Sequence, residues 1–212
     1  MFNVVCFAVT CDMLHLHTQT ASTDRKCDFF TPYYILLLYV VGVVRGVTHL
    51  DNVLYVVCDE SSTILLYNTD SQSPLSVINV DGMNNPLDIV VCRDDRQLYI
   101  TEPRCIWRVS VDDQSYVKWL TTEFYCRSLS LTSRRLLVTL YRPPGLRQYN
   151  TTNGQLRVVS TPQYMTLYHG VETARGTFVV GHWRTAEDKE QYAVSELSVS
   201  VIRSEIFYVT RA

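Results

Sequence analysis

The sequence repeats a pattern of short apolar segments with a period of about 42 residues. Each copy begins with a segment of five residues, and these first segments are GVTHL at 46–50, DIVVC at 88–92, SLSLT at 128–132 and GVETA at 170–174. Equivalent apolar residues in them are separated by 42, 40 and 42 positions, and they are Val47, Ile89, Leu129 and Val171. A repeat of this regularity predicts an array of equivalent structural units that pack on their neighbours.

Three further segments in each copy have the apolar pattern of β-strands. The second segments are strongly apolar and lie at 54–58, 98–102, 136–140 and 178–182. The third segments lie at 64–68, 106–110, 146–150 and 192–200. Weaker fourth segments lie at 76–80, 116–120, 156–160 and 200–204. In the last copy a charged insertion at 184–191 precedes the third segment and is expected to form a longer surface loop.

Four strands in a repeat of about 42 residues are typical of a β-propeller blade. The predicted fold class is therefore all-β, with about four four-stranded antiparallel blades. The propeller region is expected to span 33–205, with blades at about 44–80, 83–122, 124–162 and 165–205. Residues 1–32 do not match the repeat and are interpreted as an extension, and residues 206–212 as a tail.

Charge and hydropathy narrow the range of partners. The chain has 19 basic and 21 acidic residues and a formal charge of −2, which gives no broad attraction for nucleic acid or an anionic membrane. The apolar run at 33–44 is shorter than the roughly 20 residues that a membrane-spanning helix needs. The N-terminal segment lacks the basic start and cleavage site of a secretory signal. We therefore expect no nucleic-acid partner, no membrane association and a cytoplasmic location.

Seven cysteines are spread along the chain without a C-x-x-C pair, and they are Cys6, Cys11, Cys27, Cys58, Cys92, Cys105 and Cys126. An odd number in a chain of this length does not indicate a disulfide framework. Cys58 and Cys92 lie inside apolar strand segments, where a free cysteine behaves as a small buried hydrophobic residue. Reduced thiols are therefore expected.

Three segments have the same order of elements, namely an apolar strand, a polar loop and a strand of the form I-x-R-x or L-x-Y-x. They are LYVVCDESSTILLYNTD, LYITEPRCIWRVSVDD and NPLDIVVCRDDRQLYITE. This order resembles the NHL-repeat and related six-bladed, TolB-like propellers over roughly residues 44–205. A full YWTD motif is absent, and so is the combination of Gly-His with Trp-Asp dipeptides that marks WD40 blades. The resemblance implies six blades, whereas the repeats here supply about four, so an incomplete propeller is the favoured interpretation.

The candidate site consists of residues at or just before the first strands, which in a propeller lie around the central channel. These candidates are Arg45, Asp88, Arg127, Ser128 and His169. One carboxylate in a set that contains two arginines disfavours a calcium site, because Ca²⁺ requires several oxygen ligands. The set predicts a polar, anion-tolerant channel mouth without metal or cofactor. In the alternative interpretation, Asp88 and Ser128 only satisfy backbone groups at turns.

No catalytic motif is present among the common hydrolase, nucleotide-binding and metal-binding patterns. The function predicted from the sequence is a non-catalytic binding module that recognises a protein partner through its loops and channel mouth. One alternative is a hydrolase or lactonase with a channel metal, of the kind known among propellers of related fold. Another is the substrate-recognition part of a tripartite-motif-like ubiquitin ligase, although the RING and B-box cysteine-histidine patterns are missing.

Overall fold

A computed structural model describes residues 42–71, 73–162, 165–186, 189–197 and 207–209. In this part of the chain all regular secondary structure is β, arranged as four antiparallel sheets of four strands each. The described residues contain no helix long and apolar enough to cross a membrane. The prediction of an all-β fold built from four four-stranded units is confirmed. The chain divides after Leu87 into two compact units.

The first unit contains one sheet, in which the strands pair in chain order. These strands are β1 (Val44–Leu50), β2 (Val53–Cys58), β3 (Thr63–Asn68) and β4 (Ser73–Asn79). The central strand β2 alternates Leu54, Val56 and Cys58 on one face, and these residues form a buried cluster with Tyr67 of β3. The outermost strand β4 is mainly exposed, as expected for a sheet edge.

The second unit contains three sheets with the same pairing order. The first sheet consists of β5 (Asp88–Cys92), β6 (Gln97–Glu102), β7 (Cys105–Ser110) and β8 (Tyr116–Thr121). The second consists of β9 (Tyr125–Thr132), β10 (Arg135–Arg142), β11 (Gly145–Asn150) and β12 (Leu156–Val159). The third consists of β13 (Thr166–Glu172), β14 (Phe178–Ala186), β15 (Lys189–Leu197) and β16 (Phe207–Val209).

The four equivalent residues of the repeat occupy matching places. Each lies on the first strand of its own sheet and faces an apolar residue of the second strand. The cross-strand pairs are Val47 with Val56, Ile89 with Ile100, Leu129 with Val138 and Val171 with Val179. The repeat in the sequence therefore corresponds to a repeat of sheet register.

Apolar faces of neighbouring sheets pack together within the second unit. One face of the β9–β12 sheet supplies Leu129, Leu136 and Val138 to a cluster that includes Cys92 and Tyr99 of the preceding sheet. The opposite face supplies Leu137 and Leu146 to a second cluster, which contains the following apolar residues of the next sheet: Leu167, Phe178, Val180 and Leu197. The middle sheet thus contributes to two cores.

Hydroxyl groups on β9 connect it to β13 of the next sheet. Ser128, Ser130 and Thr132 alternate along β9, and their side chains donate hydrogen bonds to backbone carbonyls of β13. The acceptors lie 40 residues further along the chain in each case, which matches the sequence repeat. These bonds place the first strands of the two sheets side by side.

The last sheet differs from the prediction in two places. The insertion at 184–191 was expected to be a loop, but β14 runs to Ala186 and β15 starts at Lys189, so the insertion extends two paired strands as a hairpin. The fourth strand is Phe207–Val209, which pairs with β15 and lies within the stretch assigned to the tail. The segment predicted as this strand, 200–204, lies outside the described residues, as do the extension 1–32 and residues 33–41.

All four cysteines in the described part of the chain are free and buried, and they are Cys58, Cys92, Cys105 and Cys126. Burial raises the pKa of each thiol, and for Cys105 a hydrogen bond to the Glu102 carboxylate adds to the rise, so that its pKa is about 12. These thiols remain protonated near neutral pH, which makes them poor nucleophiles. The prediction that Cys58 and Cys92 are buried hydrophobic residues is confirmed.

Two leucines of the same sheet provide a matched test of this core. Leu136 is completely buried, whereas Leu156 on β12 is 47% exposed. We expect Leu136→Ala to lower the free energy of unfolding by about 2–5 kcal/mol, because it opens a cavity between two sheets. Leu156→Ala should change it by less than about 0.5 kcal/mol. Urea denaturation followed by tryptophan fluorescence measures both, and equal losses would contradict the proposed packing.

Candidate functional site

The starts of the first strands in the second unit lie at one end of its sheets, together with the turns that connect second to third strands. We call this end the upper rim, and the opposite end, which contains the turns from first to second strands, the lower face. Asp88 is the first residue of β5, Arg127 and Ser128 lie near the start of β9, and His169 lies on β13. The structure therefore places four of the five candidate residues at the upper rim.

Asp88 and Ser128 connect neighbouring first strands. One carboxylate oxygen of Asp88 accepts a hydrogen bond from the backbone N–H of Ile89 at 2.9 Å, and the other from the N–H of Leu129 at 2.8 Å. The Ser128 hydroxyl donates to the carbonyl of Tyr168 at 3.0 Å. Both side chains thus satisfy backbone groups, which is the role considered in the alternative interpretation. The bond between Asp88 and Leu129 and the bond between Ser128 and Tyr168 each join one sheet to the next at the rim.

Arg127 lies between two tyrosine rings. Its guanidinium carbon is 3.5 Å from the ring centroid of Tyr168 and 5.1 Å from that of Tyr141. Arg142 also contacts Tyr141, at 5.1 Å from the ring centroid. Cation–π contacts of this kind contribute about 0.5–1 kcal/mol each at exposed sites. Two arginines and two tyrosines from adjacent sheets are therefore joined in one continuous row.

Two further aromatic residues extend this row across the last sheet. The rings of Tyr168, Trp183 and Tyr192 contact each other edge to face, with centroids 5.8–6.1 Å apart. Gly181 on β14 permits this arrangement, because a Cβ at that position would overlap the hydroxyl group of Tyr192. We call the whole set the arginine–aromatic cluster, and its members are Arg127, Tyr141, Arg142, Tyr168, Trp183 and Tyr192.

A similar pair lies beside the cluster on the preceding turn. Arg104, in the β6–β7 turn, has its guanidinium carbon 5.7 Å from the ring centroid of Tyr125 at the start of β9. Tyr125 is 44% exposed and is the backbone partner of Arg142. The upper rim therefore presents several arginines against tyrosine rings that are partly open to solvent.

The arginines of the upper rim and those of the lower face differ in their ion pairing. Among the side chains that the structure describes, which do not include those of 184–191, no carboxylate lies within 4.0 Å of Arg104, Arg127 or Arg142. At the lower face, Arg96 pairs with Asp112 at 2.7 Å, and Arg134 with Asp95 at 3.6 Å. The lower-face arginines are thus paired with aspartates, whereas no such pair holds the three rim arginines among the described side chains.

A cleft of about 510 Å³ opens at the lower face, between the first two sheets of the second unit. Its lining includes two aspartates, Asp95 and Asp113, two arginines, Arg108 and Arg134, and several serine and threonine hydroxyls. The acidic and basic side chains that line this cleft are therefore equal in number.

Arg45, the fifth candidate, belongs to the first unit. It lies on β1 and forms an ion pair with Asp59, which follows β2. The hydrogen bond from its guanidinium to the Asp59 carboxylate crosses between neighbouring strands of one sheet. Arg45 is therefore neutralised within its own sheet.

His169 lies opposite Gly181 in the third sheet, and its Nε2 atom is buried without a hydrogen-bond partner among the described residues. Removal from water lowers its pKa from 6.5 to about 4, because burial disfavours the imidazolium. His169 is consequently neutral near pH 7.

Two other arrangements bear on catalysis. The Nε2 of His182 lies 2.9 Å from the Ser195 hydroxyl, but each residue is only 2% exposed, so the pair is closed to a substrate. Among the described residues no group of three or more His, Cys, Asp or Glu side chains is placed to hold a metal ion.

Sequence reasoning identified Arg127 but missed the tyrosines that surround it. Tyr141 and Arg142 follow the apolar second strand directly, and Tyr168 precedes the predicted first strand of the last copy. One pattern in the sequence could have pointed to them, because arginine and tyrosine recur at those strand ends that a repeat would place at the same end of each sheet. Without the cross-strand register, nothing in the sequence shows that these rings meet.

No protein-family model and no curated protein matches this chain. Among solved structures it is similar to hydrazine synthase of Kuenenia stuttgartiensis, with a TM-score of 0.60 and 14% identity over 78% of this chain and 53% of that chain. It is also similar to the WD40 repeats of RRP9, with a TM-score of 0.59 and 19% identity over 74% of this chain and 46% of the other.

A third similar structure is the β-propeller domain of Cps50 (Swd1) from Myceliophteria thermophila, with a TM-score of 0.55 and 11% identity over 82% of this chain and 56% of that one. At these identities the similarity concerns the fold alone. The four sheets have the fold of β-propeller blades, which is consistent with the expected incomplete propeller, and the chain spans about half the length of these similar chains.

The buried neutral state of His169 predicts a pH dependence of stability. Between pH 6.5 and about 4 the unfolded chain binds a proton that the folded protein does not. As the pH is lowered from 6.5 to about 4, the free energy of unfolding should therefore decrease, and His169 should account for roughly 3 kcal/mol of this decrease. In His169→Gln this contribution should disappear, while behaviour above pH 6.5 stays as in the parent. Urea titrations at pH 7 and 4.5 measure the difference, and an unchanged acid loss in the variant would refute it.

Proposed function

We propose that this chain is a non-catalytic binding module that recognises a protein partner through the upper rim of its second unit. The observation on which the proposal rests is the arginine–aromatic cluster, where Arg127 and Arg142 flank the same tyrosine ring and have no carboxylate partner in the described chain. Arginine, tyrosine and tryptophan are the residues that most often contribute large binding energies at protein interfaces.

The rigidity of the rim supports this role. Arg127 lies on β9 and Tyr168 on β13, and the bond from Ser128 to the Tyr168 carbonyl fixes the spacing of these strands. The aromatic rings also have few rotatable bonds, so little conformational entropy is lost when a partner binds. A rim that is ordered in advance is suited to specific recognition.

The sequence pattern favours the same role. The resemblance to NHL-type propellers implies a recognition module, and the candidate positions at the first strands coincide with the upper rim. The RRP9 and Cps50 structures support the propeller fold on which this interpretation depends. A partner protein that contacts the rim would bury Tyr125 together with the exposed guanidinium of Arg142.

Site-specific photocrosslinking tests the proposal. A benzoylphenylalanine placed at Tyr125, which is 44% exposed at the rim, should form a covalent adduct with one defined protein in cells of the source organism. The same group at Val158, which is 57% exposed on β12, serves as the matched control and should give no such adduct. Adducts of equal yield at both positions, or none at Tyr125, would count against a partner site at the rim.

A further inference from the structure

We propose that the arginine–aromatic cluster binds an acidic segment of the partner, with Asp or Glu carboxylates paired to Arg127 and Arg142. This inference rests on the proposed binding function and specifies its chemistry. The ligand is a stretch of protein chain that places two carboxylates on neighbouring guanidinium groups, and the site lies on β9 and β10 with support from β13.

Two positive charges share one ring in this cluster. The guanidinium carbons of Arg127 and Arg142 each lie 5.1 Å from the centroid of Tyr141. The ring quadrupole attracts each cation separately but does not cancel their mutual repulsion. Carboxylates bound to these two guanidinium groups would offset this repulsion, so the pair favours an anionic ligand.

Among the side chains that the structure describes, none supplies that anion. Glu123, the acidic residue closest in sequence to Arg127, is exposed and forms no ion pair. The acidic residues of the second unit that do pair are bound to other arginines, as in Arg96 with Asp112 and Arg135 with Glu172. Among the described side chains, the positive charges of Arg127 and Arg142 are therefore not offset by an ion pair, although the chain has a formal charge of −2.

Stacking leaves the binding groups of the arginines available. A guanidinium that lies against a ring uses its flat face, whereas its N–H donors point outward in the plane of the group. In that plane it can bind a carboxylate through two parallel hydrogen bonds. The rings of Tyr168 and Tyr141 thus hold Arg127 in position for a bidentate contact and reduce the entropy lost on binding.

The same contacts favour an acidic protein segment over single-stranded RNA. Base recognition on such surfaces requires open ring faces for stacking. Here Arg127 covers one face of Tyr168 at 3.5 Å, and Trp183 and Tyr192 pack edge to face against each other. A nucleobase would have to displace these groups, whereas a carboxylate binds without moving them.

A peptide-binding assay with the full chain tests this inference. The probe is a fluorescein-labelled decapeptide of alternating Glu and Gly, and fluorescence anisotropy at low ionic strength measures its affinity. Matched probes are the Lys–Gly decapeptide and a ten-nucleotide oligouridine. We expect the Glu peptide to bind at least about ten-fold more tightly than either, with an affinity that falls as salt is added.

Variants locate the binding on the cluster. Arg127→Ala and Arg142→Ala should each lower the affinity for the Glu peptide by about ten-fold, which is the loss typical of one charge-assisted contact. Arg127→Lys keeps the charge but lacks the planar donor pair, so its loss should be intermediate. Arg157→Ala is the control, because it removes the same charge from an exposed position on β12 of the same sheet and should leave the affinity unchanged.

The outcomes separate the two proposals. Equal losses in Arg157→Ala and the cluster variants would show nonspecific attraction and overturn the inference. Oligouridine binding that is tighter than Glu-peptide binding, with the same dependence on Arg127, would replace the acidic segment with RNA. If the adduct forms at Tyr125 but no Glu peptide binds, the acidic chemistry is wrong and the binding function stands. If the Glu peptide binds at the cluster and no adduct forms at Tyr125, the proposed protein-partner function fails instead.

Discussion

The contact between β9 and β13 determines most of what the second unit presents at its surface. Along β9 the residues alternate between hydroxyl and apolar side chains. Ser128, Ser130 and Thr132 bind carbonyls of the next sheet, whereas Leu129 packs into the core shared with the preceding sheet. One strand thus forms the hydrogen bonds on one side and the apolar contact on the other, and a shift by one residue would exchange the two sets.

This alternation also positions the arginine–aromatic cluster. Ser128 holds the backbone of Tyr168 against β9, and Arg127, its immediate neighbour, stacks on the ring of that same tyrosine. Asp88 fixes the next position by accepting a hydrogen bond from the N–H of Leu129. The side chains that build the fold and those proposed to bind a partner are therefore adjacent in sequence, so changes at Ser128 are expected to affect both.

The sequence was sufficient to predict the four sheets and the order of their strands, because the repeat fixes the spacing of the strands and the position of the apolar residues within them. Val47, Ile89, Leu129 and Val171 follow from periodicity alone, and their partners confirm it. The last sheet was harder to predict, since the charged residues at 184–191 suit a loop locally, yet backbone pairing with the opposite strand extends both strands through them. In this hairpin the tertiary pairing outweighs local propensity.

The binding chemistry was only partly accessible from sequence, and the reason is electrostatic. A net charge of −2 describes the field far from the protein, whereas a partner at contact distance responds to the groups within about one Debye length, roughly 8–10 Å. At the lower face Arg96 and Arg134 are paired with aspartates, but Arg127 and Arg142 stack on tyrosine rings, which are uncharged. Composition counts all four arginines alike. Only their placement shows that, of these four, the two beside the aromatic residues of the upper rim keep a positive charge without an ion pair among the described side chains.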